Sequence, residues 1–381
     1  MLKLVMSVLV SVVLATLILA LFASYSGILS QMLNSYSFTK KFSKRSKING
    51  LSSMDEFLNL PPDLKYKPSS KSLIFVYSQK RDFETLQDPS HICKAYINTT
   101  KSYINTDIFL LLVVRSACNN FKSRNLIRKT WGNETWLKDK TLTTVKIVFV
   151  IGNCRKGPEN VILNEELSHY NDLLQFDVDE ELRNLTRKDL LFMQWFLKNC
   201  RNVPFVYKGD DDVFLNVKSI VLFLQELSVE KAKNLALGFV MRSQKRVHNI
   251  LSKYYMPYNL YPHEYYPKYL SGTGQVYSSL VIERLFNASL FLKIHPIDDA
   301  FGGSLMEAAG VQPMHDIRFK MWGFKSHYTM CNVEKQFLIY FREKSLFELW
   351  KFWKDFNRYD YSHCNEVLKN KLLITEFLKL V

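Results

Sequence analysis

The chain has 381 residues, and its 51 Lys+Arg against 36 Asp+Glu leave a formal net charge of +15. Apolar residues at 47% and aromatics at 14% exclude intrinsic disorder as the main state, while only 13 Gly and 11 Pro exclude collagen-like and low-complexity chains. A mean hydropathy of -0.10 with one apolar stretch of spanning length excludes a multi-span membrane protein.

That stretch, Leu4 to Ala23, carries no charge and is interrupted only by Ser7, Ser11 and Thr16. Its length predicts an uncleaved transmembrane helix. A cleaved signal peptide is the alternative, but its apolar region normally runs about 7–15 residues before an A-x-A site, which is absent here. Lys3 and the α-amine precede the span and no basic residue follows until Lys40, so the N-terminus is expected in the cytosol and the remainder in the secretory lumen. The expected organisation is a cytosolic tail (1–3), a signal anchor (4–23), a stem (24–106) and a luminal catalytic domain (107–381). The stem contains a basic run from Lys40 to Lys47 and Pro61-Pro62. A luminal address argues against nucleic acid as a partner, and the run reads as a solvated or headgroup-contacting spacer. Sequons at Asn98, Asn133, Asn184 and Asn287 are candidate N-glycosylation sites. Six cysteines without C-x-x-C spacing disfavour zinc and favour disulfides, whose pairing the spacing leaves open.

From Ile108 onward short apolar runs alternate with helical stretches. Ile108–Val114, Val145–Ile151, Leu173–Val178 and Phe205–Tyr207 read as buried strands, with helices at Asn120–Trp131 and Leu185–Leu197. This rhythm predicts an α/β fold, a mostly parallel sheet flanked by helices, with ligands at the carboxyl ends of its strands.

Asp210, Asp211 and Asp212 directly follow the strand beginning at Phe205. Packed carboxylates repel, so the trio calls for a neutralising hard cation such as Mn²⁺ or Mg²⁺, completed by substrate phosphates. A solvated acidic turn is the bland reading. No Walker-type phosphate loop is present. A second pair, Asp298-Asp299, stands at a predicted helix start, where one acid caps the helix or serves as a general base. His315 is a candidate metal ligand or an ordinary polar residue.

Several segments in order resemble the luminal β-1,3-glycosyltransferases, which include β-1,3-galactosyltransferases and β-1,3-N-acetylglucosaminyltransferases. Arg124 to Gly132 is similar to the family's R-x-x-I-R-x-T-W-G, Phe149 to Gly152 follows, and Glu165/Glu166, Tyr170, Asp172 and Asn184 to Lys188 match E…Y-x-D…N-L-T-x-K. Lys208 to Asp212 matches K-x-D-D-D, Tyr266 to Gly274 resembles a Y-P-x-Y-x-x-G-x-G loop, and Ile297-Asp298-Asp299 occupies the [EI]-D-[DV] position.

The resemblance implies a GT-A-like, Rossmann-type domain in the Golgi membrane, transferring a hexose from a UDP-sugar to the 3-hydroxyl of a glycan on glycoprotein, glycolipid or proteoglycan. Galactose is favoured over N-acetylglucosamine as the sugar, and a homodimer is compatible with the resemblance. It assigns Asp299 as catalytic base and Asp210, Asp212 and His315 as metal ligands. Arg124, Arg128, Lys188 and Asp211 are assigned to the donor, and Tyr269, Gly272, Gly274 and Asp298 to the acceptor or transferred sugar. Arg128 reads equally as a buried structural ion pair, and Trp131 and Trp195 as core. The chain departs from the pattern at Leu182, Gln275 and Ala300. An aspartate cluster could also serve a metal-dependent phosphohydrolase, and the departures at Leu182 and Gln275 leave room for a non-catalytic carbohydrate-binding or chaperone protein that kept the fold.

Overall fold

The computed structural model describes residues 79–97, 102–105, 107–154, 158–322, 329–341, 345–362 and 364. The predicted anchor, the basic run and the Asn98 sequon lie outside them. Among the described residues no helix is long and apolar enough to cross a membrane.

Strand β1 (Thr85–Gln87) is followed by a small antiparallel hairpin, β2 (Lys94–Ile97) with β3 (Ser102–Asn105). Then come β4 (Leu110–Arg115), α1 (Phe121–Lys129), α2 (Glu134–Thr141), β5 (Val145–Asn153), α3 (Pro158–His169), β6 (Leu173–Asp179), α4 (Leu185–Asn199) and β7 (Phe205–Asp210). After β7 the chain forms β8 (Val213–Leu215), α5 (Val217–Gln225), α6 (Val229–Lys233), β9 (Ala236–Met241), β10 (Tyr269–Ser278), α7 (Ser279–Ser289) and α8 (Asp298–Ala308). It ends in β11 (Met314–His315), β12 (Phe319–Lys320), α9 (Met330–Glu334), β13 (Leu338–Tyr340) and α10 (Leu346–Arg358).

One sheet has the order β1-β6-β5-β4-β7-β10-β9-β11. Its centre, β6 to β7, is parallel, whereas β10 runs antiparallel to both neighbours and β1 closes an edge antiparallel to β6. Every residue of β4 is buried, as expected for a strand covered on both faces. Alternation sends Leu111 and Val113 to one core with α4, α7 and α8, and Leu110, Leu112 and Val114 to the other with α1, α2, α5 and α10. The chain leaves β4 through α1 on one face and reaches β7 through α4 on the other. Strand order therefore reverses between β4 and β7, and a crevice opens at their carboxyl ends.

The predicted strands and helices of this region appear at nearly their expected places. Two boundaries differ. Residues 79–97, assigned above to the stem, belong to the folded domain: β1 extends the sheet, Trp195 Nε1 donates to Asp88 at 2.7 Å, and Cys93 is bonded to Cys200. The expected Tyr266–Gly274 loop is largely strand, since β10 begins at Tyr269 and finds ladder partners on both sides. The other cysteines pair as Cys118–Cys154 and Cys331–Cys364. Trp131 and Trp195 are core residues.

Candidate active site

The crevice is organised by Arg115, the last residue of β4, which lies in register with Asp210, the last of β7. Its side chain is 5% exposed. Nη2 donates to Asp210 Oδ1 at 2.7 Å and to the Gly272 carbonyl at 2.8 Å, Nη1 donates to Asp298, and Asp189 lies 3.7 Å away. Burial opposes the guanidinium's charge, but Asp210, Asp298 and Asp189 outweigh it and hold the pKa well above its usual value. One side chain thus ties the acidic trio to the acidic pair. Sequence reasoning missed Arg115, although a lone cation closing the apolar run Leu110–Val114 was a readable signal.

The three aspartates of the trio have different tasks. Asp211 turns inward and accepts from Ser116 Oγ at 2.6 Å and Asn120 Nδ2 at 3.0 Å. Asp210 is held by Arg115. Asp212 is exposed, and among the described residues no cation is paired with it as Arg115 is with Asp210. Partial burial, then the charges of Asp210 and Asp211, push its pKa up to about 7. Like-charge repulsion at an exposed carboxylate is what a hard divalent cation relieves, so Asp212, with Asp210, fits such an ion. Among the described residues no group of three or more His, Cys, Asp or Glu side chains is placed to hold a metal. His315 is therefore not gathered with the trio: its Nδ1 accepts from the Val240 N–H at 3.1 Å, and its ring meets Phe239 edge-on at 4.9 Å.

Asp298 and Asp299 open α8, but neither caps it; the N-cap position is Ile297. Burial acts to raise the pKa of Asp298 and is outweighed by Arg115 and Lys208, leaving it ionised and below the usual range. Asp299 accepts from the Ala300 N–H at 2.8 Å, yet burial and the neighbouring Asp298 charge push it up to about 7. A carboxyl poised near neutrality beside an ionised one has the character of a general base. The segment before it is pinned by Thr186, whose hydroxyl donates to the His295 carbonyl at 2.8 Å.

Gly272 belongs to this cluster, because a Cβ built there would lie 3.1 Å from Arg115 Nη2 and 3.8 Å from Asp299 Cβ. Gly274 does not face a sugar: its built Cβ would sit 2.2 Å from Leu338 Cδ1, so close packing requires the glycine. Tyr269 is a core residue beside Gly303 and Tyr266 and is not an open sugar platform. Between Leu270 and Gln275 the β10–β9 register shifts, and Gln275 Nε2 donates to the carbonyls of Leu270 and Ser271 at 2.9 and 3.2 Å. The departure at Gln275 thus repairs a bend in β10.

The cations expected at the donor are engaged with protein. Arg124 and Glu166 form an ion pair at 2.6 Å with both side chains 0% exposed, and Arg124 Nη1 donates to Ser116 Oγ at 3.0 Å. Arg128 binds Asp172 through two nitrogens at 2.8 and 2.7 Å, pairs with Glu166, and stacks on Tyr170. Lys188 is buried and paired with Glu180, whose other oxygen accepts from the Gly152 N–H at 2.6 Å. All three are engaged with acidic partners of the protein itself, the geometry of residues that brace a pocket. Of the described sequons, Asn133 caps α2 and Asn184 bonds Asp179 and Arg187, while Asn287 is exposed.

A family model described as galactosyltransferase matches residues 122–317. A lactosylceramide 1,3-N-acetyl-beta-D-glucosaminyltransferase A of Danio rerio is 34% identical over 83% of this chain and 78% of that protein. An N-acetyllactosaminide beta-1,3-N-acetylglucosaminyltransferase 4 of Mus musculus is 32% identical over 75% and 77%. Among solved structures, the bifunctional glycosyltransferase WbbM shows a distant likeness, with TM-score 0.37 and 13% identity over 63% of this chain and 47% of that one.

Proposed function

We propose, from the premise that the chain belongs to the β-1,3-glycosyltransferase family and is a hexosyltransferase, that it moves N-acetylglucosamine from a UDP-sugar to the 3-hydroxyl of a terminal β-galactoside, with inversion. The observation that carries the site assignment is Arg115, which joins Asp210 and Asp298 and so sets Asp299 beside the acidic trio. The donor moves from galactose, favoured on sequence, to N-acetylglucosamine because the relatives named above carry that activity. The acceptors in their names, lactosylceramide and N-acetyllactosaminide, share a terminal β-galactose.

Asp212, with Asp210, would hold Mn²⁺ or Mg²⁺, which when bound supplies charge neutralisation to a departing diphosphate. Arg115 keeps Asp298 ionised, and that charge maintains the raised basicity of Asp299. Asp299 takes the proton of the acceptor hydroxyl as its oxygen attacks the anomeric carbon from the face opposite UDP. A single displacement turns an α-linked donor into a β-linked product. The buried Arg124–Glu166 pair holds Ser116, which in turn donates to Asp211 of the trio. A membrane span with the domain in the lumen is part of the same reading and is supported by the apolar run Leu4 to Ala23, while the Golgi as the compartment follows from the family alone.

Full-length protein in detergent, given UDP-N-acetylglucosamine, Mn²⁺ and a lactoside, should release UDP only with the acceptor present and form a β-1,3 linkage by NMR. UDP release without acceptor would make it a hydrolase and overturn the reading; preference for UDP-galactose would overturn the donor.

A further inference from the structure

The connection between β9 and β10, residues 242–268, contains no helix or strand of its own. An antiparallel pair needs only about 2–5 residues to connect, and structureless loops beyond about 15 are uncommon and usually functional. This one is rigidly rooted. Arg246 N–H donates to the Glu264 carbonyl at 2.8 Å, Tyr266 N–H to Gln244 at 2.9 Å, and Arg246 Nη1 to Met256 at 3.0 Å. Met256, Tyr261 and Tyr266 are buried in the core.

At its tip the chain does the opposite. Ile250 and Leu251 are 71% and 89% exposed, and Tyr254 and Tyr258 stand exposed beside them. Arg242, Lys245 and Lys253 are exposed on the same loop, where Glu264 is the one acidic residue. Because β9 and β7 both run antiparallel to β10, the loop leaves β9 at the same end of the sheet as Asp210. Adjacent aliphatics at a tip, tyrosines behind them and cations around them match the depth profile of a phospholipid surface: acyl boundary, headgroup level, phosphate. A glycan alone would account for the tyrosines but not for Ile250 and Leu251.

We propose that the 242–268 loop seats the domain on a phospholipid bilayer, with Ile250 and Leu251 entering the interface, so that the crevice meets β-galactosides carried by membrane lipids. The acceptor part rests on the function proposed above; the lipid contact does not.

Two readouts separate them. Full-length Leu251→Trp, reconstituted in phosphatidylcholine vesicles containing phosphatidylserine, should show tryptophan emission, relative to wild type, that brominated lipid quenches. Absence of added quenching would overturn the lipid contact whatever the enzyme transfers. In the second readout, the double variant Ile250→Glu/Leu251→Glu should lose about tenfold or more in transfer to vesicle-embedded lactosylceramide while keeping wild-type transfer to soluble lactoside. Equal losses on both acceptors would assign the loop to the glycan, and no loss on either would remove it from acceptor selection; each overturns the proposal. Wild type inactive on both acceptors with quenching intact would refute the function and leave the lipid contact standing.

Discussion

Two clusters of buried charge are anchored on consecutive elements, Arg115 on β4 and Arg124 and Arg128 on α1, and they are built on different terms. Behind the crevice, Arg124 and Arg128 face Glu166 and Asp172, two cations for two carboxylates, with multiple hydrogen bonds. In the crevice, Arg115 and Lys208 are the cations, while Asp189, Asp210, Asp211, Asp212, Asp298 and Asp299 supply the acid. A balanced cluster is structural scaffolding. An unbalanced one is tolerable only where water, a cation or a proton relieves it, and Asp212 and Asp299, both raised to about 7, are where the excess resides. The lesson is that a buried arginine beside a catalytic motif is not thereby a substrate ligand; the charge count around it is the better guide.

The contrast can be broken from either side. Glu166→Gln leaves Arg124 and Arg128 short of a buried partner and should lower unfolding free energy by about 3–5 kcal/mol, read from denaturant midpoints; an unchanged midpoint would end the claim that this cluster is structural. In the crevice, Mn²⁺ with UDP at about a hundredfold its Kd should stabilise the protein by roughly 2.7 kcal/mol in thermal unfolding. That gain should vanish in Asp212→Ala, and its survival would remove Asp212 from the metal site. The smallest effect concerns protons. Asp299 must be ionised to accept one, so kcat/KM should fall as pH drops through about 7, by roughly tenfold per unit below it; a flat profile down to pH 5 would show that its carboxyl is not the titrating base.

Much of the sheet was legible because runs such as Ile108–Val114 and Val145–Ile151 have a single physical use, a strand covered on both faces. The acidic motifs were legible because clustered carboxylates after a strand need a reason. What escaped was pairing. Arg124 and Glu166 are 42 positions apart, and nothing in either residue announces the other. Arg115 escaped for the same reason, its partners Asp210 and Asp298 being 95 and 183 positions away. Tyr266 to Gly274 was expected as a loop from the resemblance, yet β10 begins at Tyr269, pairs with β9 at Tyr269–Leu270 and again from Gln275, and Gln275 bonds the carbonyls of Leu270 and Ser271 at the irregularity between.

The central claim is that Asp299 removes the acceptor proton beside an intact donor site. Its most direct test is Asp299→Asn, with turnover and Mn²⁺-dependent UDP-sugar binding measured on the same preparation, the latter by titration calorimetry. Transfer should fall by about 10²–10⁴-fold while donor affinity stays as in wild type. Transfer at the wild-type rate would contradict the assignment, and a matching loss of donor affinity would place Asp299 in the donor site instead.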